Sequence, residues 1–350
     1  MKIVHLITSL EGGGTENFLH QLIRYSPKNH SHEVLYLKKD GIIGDRLRQG
    51  GVSPKKITAT QLYPVLRQKN PDVLHTLLFR ANQMGRVIGR VAGVKQIISS
   101  QRSIDAWQKP WHIYLDSFTL PFCDQVVVNS SAAEALVRQR IKNHSKPCIT
   151  KLLNGVDLER FSSQDRQAAR QKLGLQAGNI VLGGSLMRLH AEKGADTILA
   201  FAQKSLLANP ALHLVVGGIG PLEQQLRAQS ALESWGNRLQ WLGWVEDTPA
   251  FYAALDFFWS LSREESFPQS LLEASVMGIP WVAPDVGGVP DLIAAGAPGV
   301  LYPVEDLEAA AARIPEAITQ GDLQHQKLET FRQAFSVQEM AARFYNALTF

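Results

Sequence analysis

Cysteine is nearly absent: Cys123 and Cys148 are the only two in 350 residues. That is too few for a disulfide framework, their spacing is not that of a metal site, and a reducing cytoplasm is the expected setting. No apolar run reaches the length that crosses a bilayer, so no transmembrane helix is expected. The apolar stretch Ile3 to Leu10 runs into glycines rather than a small-residue cleavage site, which predicts a buried strand and not a signal peptide. Low-complexity tracts and short internal repeats are lacking. So is the spaced glycine fingerprint of a dinucleotide site: the second strand candidate ends in Leu37-Lys38-Lys39, where an acidic residue would hold a ribose. A nicotinamide oxidoreductase is therefore a poor reading.

What is present suits a globular chain, with 45% hydrophobic and 19% charged residues. The length fits two domains of ordinary size. Net charge is +4, yet residues 1–155 carry 22 Lys and Arg against 10 Asp and Glu, whereas residues 156–350 carry 14 against 22. A basic half suits an anionic membrane surface, a phosphorylated lipid or a nucleic acid, and it equally serves solubility; charge bias alone does not choose.

Short β-type runs alternate with amphipathic stretches: Lys2–Ile7, Glu33–Leu37, Asp72–His75, Gln96–Ser100, Gln125–Asn129 and Cys148–Leu152 are the first strand candidates. Between them Glu16–Tyr25, Asn82–Ala92 and Ala132–Ile141 read as helices, the last opened by the capping-box pattern Ser131-Ala-Ala-Glu134. After Asn154-Gly155-Val156-Asp157 the alternation restarts, with strands at Ile180–Ser185, His213–Val216, Leu239–Leu242, Phe257–Leu261 and Trp281–Ala283. This predicts an α/β protein of two doubly wound domains, 1–158 and 159–336, facing across a cleft. A final helix at about 337–350 is expected to pack back on the first.

Three segments carry chemistry. Glycines 12–14 close the first strand just before a helix, where backbone N–H groups can approach an anion. Gly184-Ser-Leu-Met-Arg188-Leu-His-Ala-Glu-Lys193-Gly194 puts two cations on a loop after a strand, which suits a diphosphate leaving group as well as an ordinary solvated loop. In Glu265-Ser266-Phe267-Pro268-Gln269-Ser270-Leu271-Leu272-Glu273, Pro268 marks a helix start. Glu265 then lies on the preceding loop and Glu273 within an otherwise apolar helix, needing hydroxyl or N–H partners.

These segments, with Leu153-Asn154-Gly155-Val156-Asp157, Val216-Gly217-Gly218-Ile219-Gly220-Pro221-Leu222 and Gly243-Trp244-Val245, resemble the retaining glycosyltransferases of family 4 (glycosyl transferases group 1). The resemblance implies the GT-B architecture and transfer of a sugar from a UDP-, GDP- or ADP-sugar. The acceptor would be a hydroxyl of lipopolysaccharide, capsule or exopolysaccharide, or glycolipid. It implies diphosphate contacts from Arg188 and Lys193, a sugar-hydroxyl contact from Glu265, and donor support from Gly13, Gly14, Phe267, Pro268, Gln269 and Ser270. Glu273 would hold the ribose, and Gly243, Trp244 and Val245 the base. Front-face attack, with the departing phosphate oxygen taking the acceptor's proton, would need no metal and no cofactor. No nucleic-acid partner is implied; a cytoplasmic protein is, with the basic half leaving peripheral placement on the inner membrane face open.

The chain departs from the family's pattern in places. Many relatives have His-x-His after the fourth strand; here His75 is followed by Leu77 in the second position. Ile219 and Gln269 stand where Asp and Asn are frequent. Arg80 and Arg102 are acceptor-side candidates, as is His75, although a histidine at a strand end is more often a satisfied core residue, and Trp107 and Trp111 either pack or meet a sugar phosphate or membrane interface. A sugar-nucleotide epimerase of the same architecture, or a non-catalytic binding relative, remains an alternative.

Overall fold

A computed structural model describes residues 1–104, 107–141, 147–162, 164–175, 180–323 and 327–348. The chain divides into two units, Met1–Gly155 with Val337–Phe350, and Val156–Ser336. Within the second unit its first and last residues meet, the Val156 N–H donating to the Phe335 carbonyl at 2.8 Å.

Among the described residues, the first unit holds strands β1 (Lys2–Ile7), β2 (Ser31–Tyr36), β3 (Lys55–Lys56), β4 (Val73–Leu77), β5 (Gln96–Gln101), β6 (Gln125–Val128) and β7 (Cys148–Lys151). They pair in parallel in the order β3-β2-β1-β4-β5-β6-β7. The near-continuous burial of β1, β4, β5 and β6 is what a parallel sheet covered on both faces requires. One face packs Phe18 and Leu22 of helix Gly14–Arg24 against Phe344 and Tyr345 of helix Val337–Asn346. The Tyr345 hydroxyl donates to the Leu22 carbonyl at 2.8 Å, tying the chain's last helix to its first.

The second unit holds β8 (Val181–Leu186), β9 (Leu212–Gly217), β10 (Leu239–Gly243), β11 (Phe257–Trp259), β12 (Trp281–Pro284) and β13 (Gly299–Tyr302), in the order β10-β9-β8-β11-β12-β13. Both sheets reverse their strand order once, at β1/β4 and at β8/β11. Such switch points leave a crevice outside the strands' carboxyl ends, where ligands of open α/β sheets bind.

Several elements differ from the sequence reading. Helix Ser131–Arg140 is capped by Ser130, whose hydroxyl accepts from the Ala133 N–H at 3.1 Å; the start is one residue earlier than the Ser131 pattern suggested, and Glu134 pairs with Arg138 instead. Helices Ile42–Gln49, Ala59–Lys69 and Pro110–Thr119 and strand β13 were not anticipated. Pro64 lies inside the second of these helices, a position whose lost N–H makes helices hard to read. No described helix is long and apolar enough to cross a membrane.

Candidate functional site

In the second unit, the loops leaving the carboxyl ends of β8, β9, β10, β11 and β12 are stitched together by their backbones. The Leu189 N–H donates to the Ile219 carbonyl at 3.0 Å, Gly218 to Gly243 at 2.6 Å, Arg263 to Glu192 at 3.1 Å, and Gly288 to Glu265 at 3.1 Å. This close approach explains the glycines. Gly194 has φ +70° and a Cβ there would lie 2.1 Å from the Leu261 carbonyl oxygen; Gly218, at φ +131°, would bring one to 1.8 Å from the Met187 oxygen. The glycine turns are thus backbone-to-backbone contacts that any side chain would open.

On that rim, Lys193 from the β8 loop and Glu265 from the β11 loop meet across the switch point, with Nζ to Oε1 at 2.7 Å. Arg188 is exposed and pairs with Glu192 at 2.6 Å. Helix Gln269–Val276 follows Glu265; Phe267 is buried, and Pro268 takes the N-cap position just before the helix rather than its first turn. Glu273 is half-buried on this helix, and its Oε2 accepts from the Tyr252 hydroxyl at 3.1 Å. Burial pushes the Glu273 carboxyl up to about 7, against the pull of the Tyr252 hydrogen bond and the Arg160 charge. Gly243 has φ +68°, Trp244 is 74% exposed, and Val245 packs near Gly217, so this segment joins the rim through the β9 loop. Arg263, not singled out from sequence, braces the β11 loop through Asp196 at 2.6 Å and Glu305 at 2.7 Å.

In the first unit, Gly13 caps helix Gly14–Arg24 and Gly14 is its first residue. A cavity of about 720 Å³ opens at the carboxyl ends of β1, β4 and β5, with Thr15, Arg80, Asn82, Arg102, Trp107 and His112 in its wall. Leu78, at its edge, has φ +70°, a strained conformation for a branched residue at the end of β4. Arg80 is exposed and Arg102 buried.

His75 is not at this cavity. It is fully buried, its Nε2 paired with the Ser100 hydroxyl at 2.8 Å and its Nδ1 with His5 Nδ1 at 3.1 Å, beneath the Phe344 ring. Burial, with the charges of Arg102 and His32, pushes it down to about 3, so it stays neutral. Of the two readings of His75, its burial and its partners fit the satisfied core histidine. Leu77, in the second histidine's place, is likewise a core residue. Trp107 and Trp111, in contrast, are 57% and 58% exposed, each with its ring against His112.

Comparison with known proteins matches each half of the chain to a family model. Residues 12–160 match Glycosyltransferase Family 4, and residues 165–333 match Glycosyl transferases group 1. The lipopolysaccharide core biosynthesis mannosyltransferase LpsB of Rhizobium meliloti is 29% identical over 60% of this chain and 58% of its own length, so the match spans under two thirds of that relative. A GDP-mannose-dependent alpha-mannosyltransferase of Mycobacterium tuberculosis is 29% identical over 76% of this chain and 68% of its own. Among solved structures, Anabaena Alr3699/HepE in complex with UDP-glucose superposes with a TM-score of 0.81 at 20% identity, covering 99% of both chains. Two Rossmann-like sheets, a stitched loop rim at the second switch point and a family match to each half converge: this chain belongs to the group 1, family 4 glycosyltransferases, with the GT-B fold.

Proposed function

We propose that this chain is a retaining glycosyltransferase that moves a sugar from a nucleoside-diphosphate sugar to a hydroxyl of a cell-envelope acceptor. The observation that carries this reading is the meeting of Lys193 with Glu265 across the β8/β11 switch point, with Glu273 about one turn into the helix that follows. The names of relatives support it: HepE is solved with UDP-glucose, one relative is named for GDP-mannose, and an Escherichia coli relative is named as a galactosyltransferase acting on a diphosphoundecaprenol-linked sugar.

In this reading Arg188 and Lys193 neutralise the diphosphate, helped by the N-terminus of helix Gln269–Val276. Glu265 receives a hydroxyl of the transferred sugar, Glu273 accepts from the ribose hydroxyls, and Gly243 to Val245 lie against the base. Gly13 and Gly14 let backbone N–H groups approach an anionic group of the donor. The acceptor oxygen bonds to the anomeric carbon as the bond to the diphosphate breaks, on the same face. Its proton passes to the departing phosphate oxygen, and nucleoside diphosphate leaves. The cations do the work that a metal does elsewhere, so turnover is expected to persist in chelator. The first unit is the acceptor side, and its aromatic helix rests on an anionic membrane surface.

A thermal-shift screen against UDP-, GDP- and ADP-sugars tests the core of this. One donor should raise the apparent stability by mass action, and Glu273→Ala should weaken that donor about tenfold or more by removing the acceptor of two hydroxyls. A screen in which no nucleotide sugar shifts the wild type, or a Glu273→Ala variant of undiminished affinity, removes the reading or this residue from it.

A further inference from the structure

Arg102 is an unusual cation. It follows β5, is 9% exposed, and lies with its guanidinium carbon 3.5 Å from the centre of the Phe18 ring. Its Nη2 donates to Asn154 Oδ1, but its Nη1 has no hydrogen-bond partner, and no carboxylate of the described residues pairs with it. A buried charge without a counter-ion is costly, and an anionic ligand would supply one. Burial accordingly pulls Arg102 down to about 9. Asn82, 2% exposed on the same cavity wall, donates through Nδ2 to the Ser100 carbonyl at 3.1 Å, while its Oδ1 also lacks a partner.

The rest of the cavity has matching character. Lys38 and Arg80 add positive charge, and none of the described lining residues is acidic. One side is an aromatic wall, with Phe79 edge-on to Trp107 at 5.6 Å and Trp107 edge-on to His112 at 4.9 Å. An apolar wall with a few unsatisfied polar groups and one dehydrated guanidinium is a site for a ligand with a flat face, a hydroxyl or N–H donor, and an anionic group.

Resting on the glycosyltransferase reading above, we propose that the acceptor is an anionic saccharide, whose phosphate or carboxylate seats on Arg102 Nη1. One of its hydroxyls donates to Asn82 Oδ1, and its ring lies along Phe79, Trp107 and His112. The anion completes the charge that the fold leaves open, so an anionic saccharide is preferred over a neutral one.

Isothermal titration of the full chain with glucose 1-phosphate, glucose, and glucose linked through diphosphate to a polyprenol in detergent tests this. Either phosphorylated probe should bind about tenfold or more tightly than glucose, and the preferred one separates a soluble from a lipid-linked acceptor. Arg102→Gln should abolish the preference and Arg102→Lys keep part of it. Asn82→Asp, nearly isosteric, should also abolish it, and covers the case in which Arg102→Gln fails to fold. Arg138→Ala, an exposed cation of helix Ser131–Arg140 that lines neither site, should leave it intact. Equal binding of glucose and both phosphorylated probes overturns the proposal, as does a preference lost in Arg138→Ala and kept in Arg102→Gln. Nucleotide-sugar binding, measured in parallel, separates the readings: its absence alongside an Arg102-dependent preference sinks the transferase reading and not the anion site.

Discussion

Glu273 shows how much a single carboxyl depends on its surroundings. Its ionisation near 7 rather than the ordinary 4.5 follows from burial beside Tyr252. A carboxyl raised in the folded state contributes stability below its unfolded value and loses it as pH rises through the folded one. Unliganded stability should therefore fall between pH about 4.5 and about 7 through this group. Ribose hydroxyls donate to the charged form, so nucleotide binding should favour the carboxylate and release protons. Titration at pH 7 in buffers of different ionisation enthalpy should show roughly half a proton released, and none in Glu273→Gln; equal apparent enthalpies in the wild type would contradict this. The acidic pair 265/273 was legible in the sequence because spacing around Pro268 places it. Tyr252, which satisfies Glu273, and the free Nη1 of Arg102 were not, since hydrogen-bond satisfaction depends on residues remote in the chain.

Among the elements, helix Pro110–Thr119 depends most on tertiary contacts. Its outer side exposes Trp111, Ile113, Tyr114 and Phe118, while Asp116 and Thr119 are buried. Asp116 is clamped by Arg86 at 2.6 Å and Arg140 at 2.8 Å, joining it to helices Phe79–Val91 and Ser131–Arg140. Burial alone would raise its carboxyl; Arg86 and the bonds from Arg140 and Gln83 hold it below the ordinary range. Replacing Asp116 with Asn leaves two buried guanidinium groups short of an anion and should destabilise the first unit by about 3–5 kcal/mol, measurable by urea unfolding. The charged form is favoured in the fold, so this stabilisation is present above the unfolded value and fades as pH falls through the lowered one; the Asn variant should lack that acid-dependent loss. An apolar outer side and a buried polar inner side invert the pattern by which amphipathic helices are read. Hence this helix was missed, whereas Gly14–Arg24 and Val337–Asn346 follow the usual pattern and were found.

Across the whole molecule, the charge split and the aromatic helix suggest the same kind of surface. Residues 1–155 carry 22 cations against 10 anions, and Trp111, Tyr114 and Phe118 recur at helical spacing, all exposed, on helix Pro110–Thr119. Aromatic rings at this level and cations attracted to anionic headgroups bind membranes together. Flotation with phosphatidylglycerol vesicles should carry the chain at low salt and release it as salt rises, with Trp111→Ala plus Phe118→Ala weakening it further; no flotation at low salt would refute the membrane contact. By itself the sequence predicted the two doubly wound units, the places of their main strands along the chain and the loops on which the candidate donor residues lie. Hydrophobic periodicity, glycine turns and local spacing are properties of neighbouring residues. The tertiary structure alone decided that His75 is core, that five loops are stitched into one rim, and that Arg102 is buried without an anion. Burial and pairing are set by segments that meet only after the sheets assemble, and no local pattern encodes them.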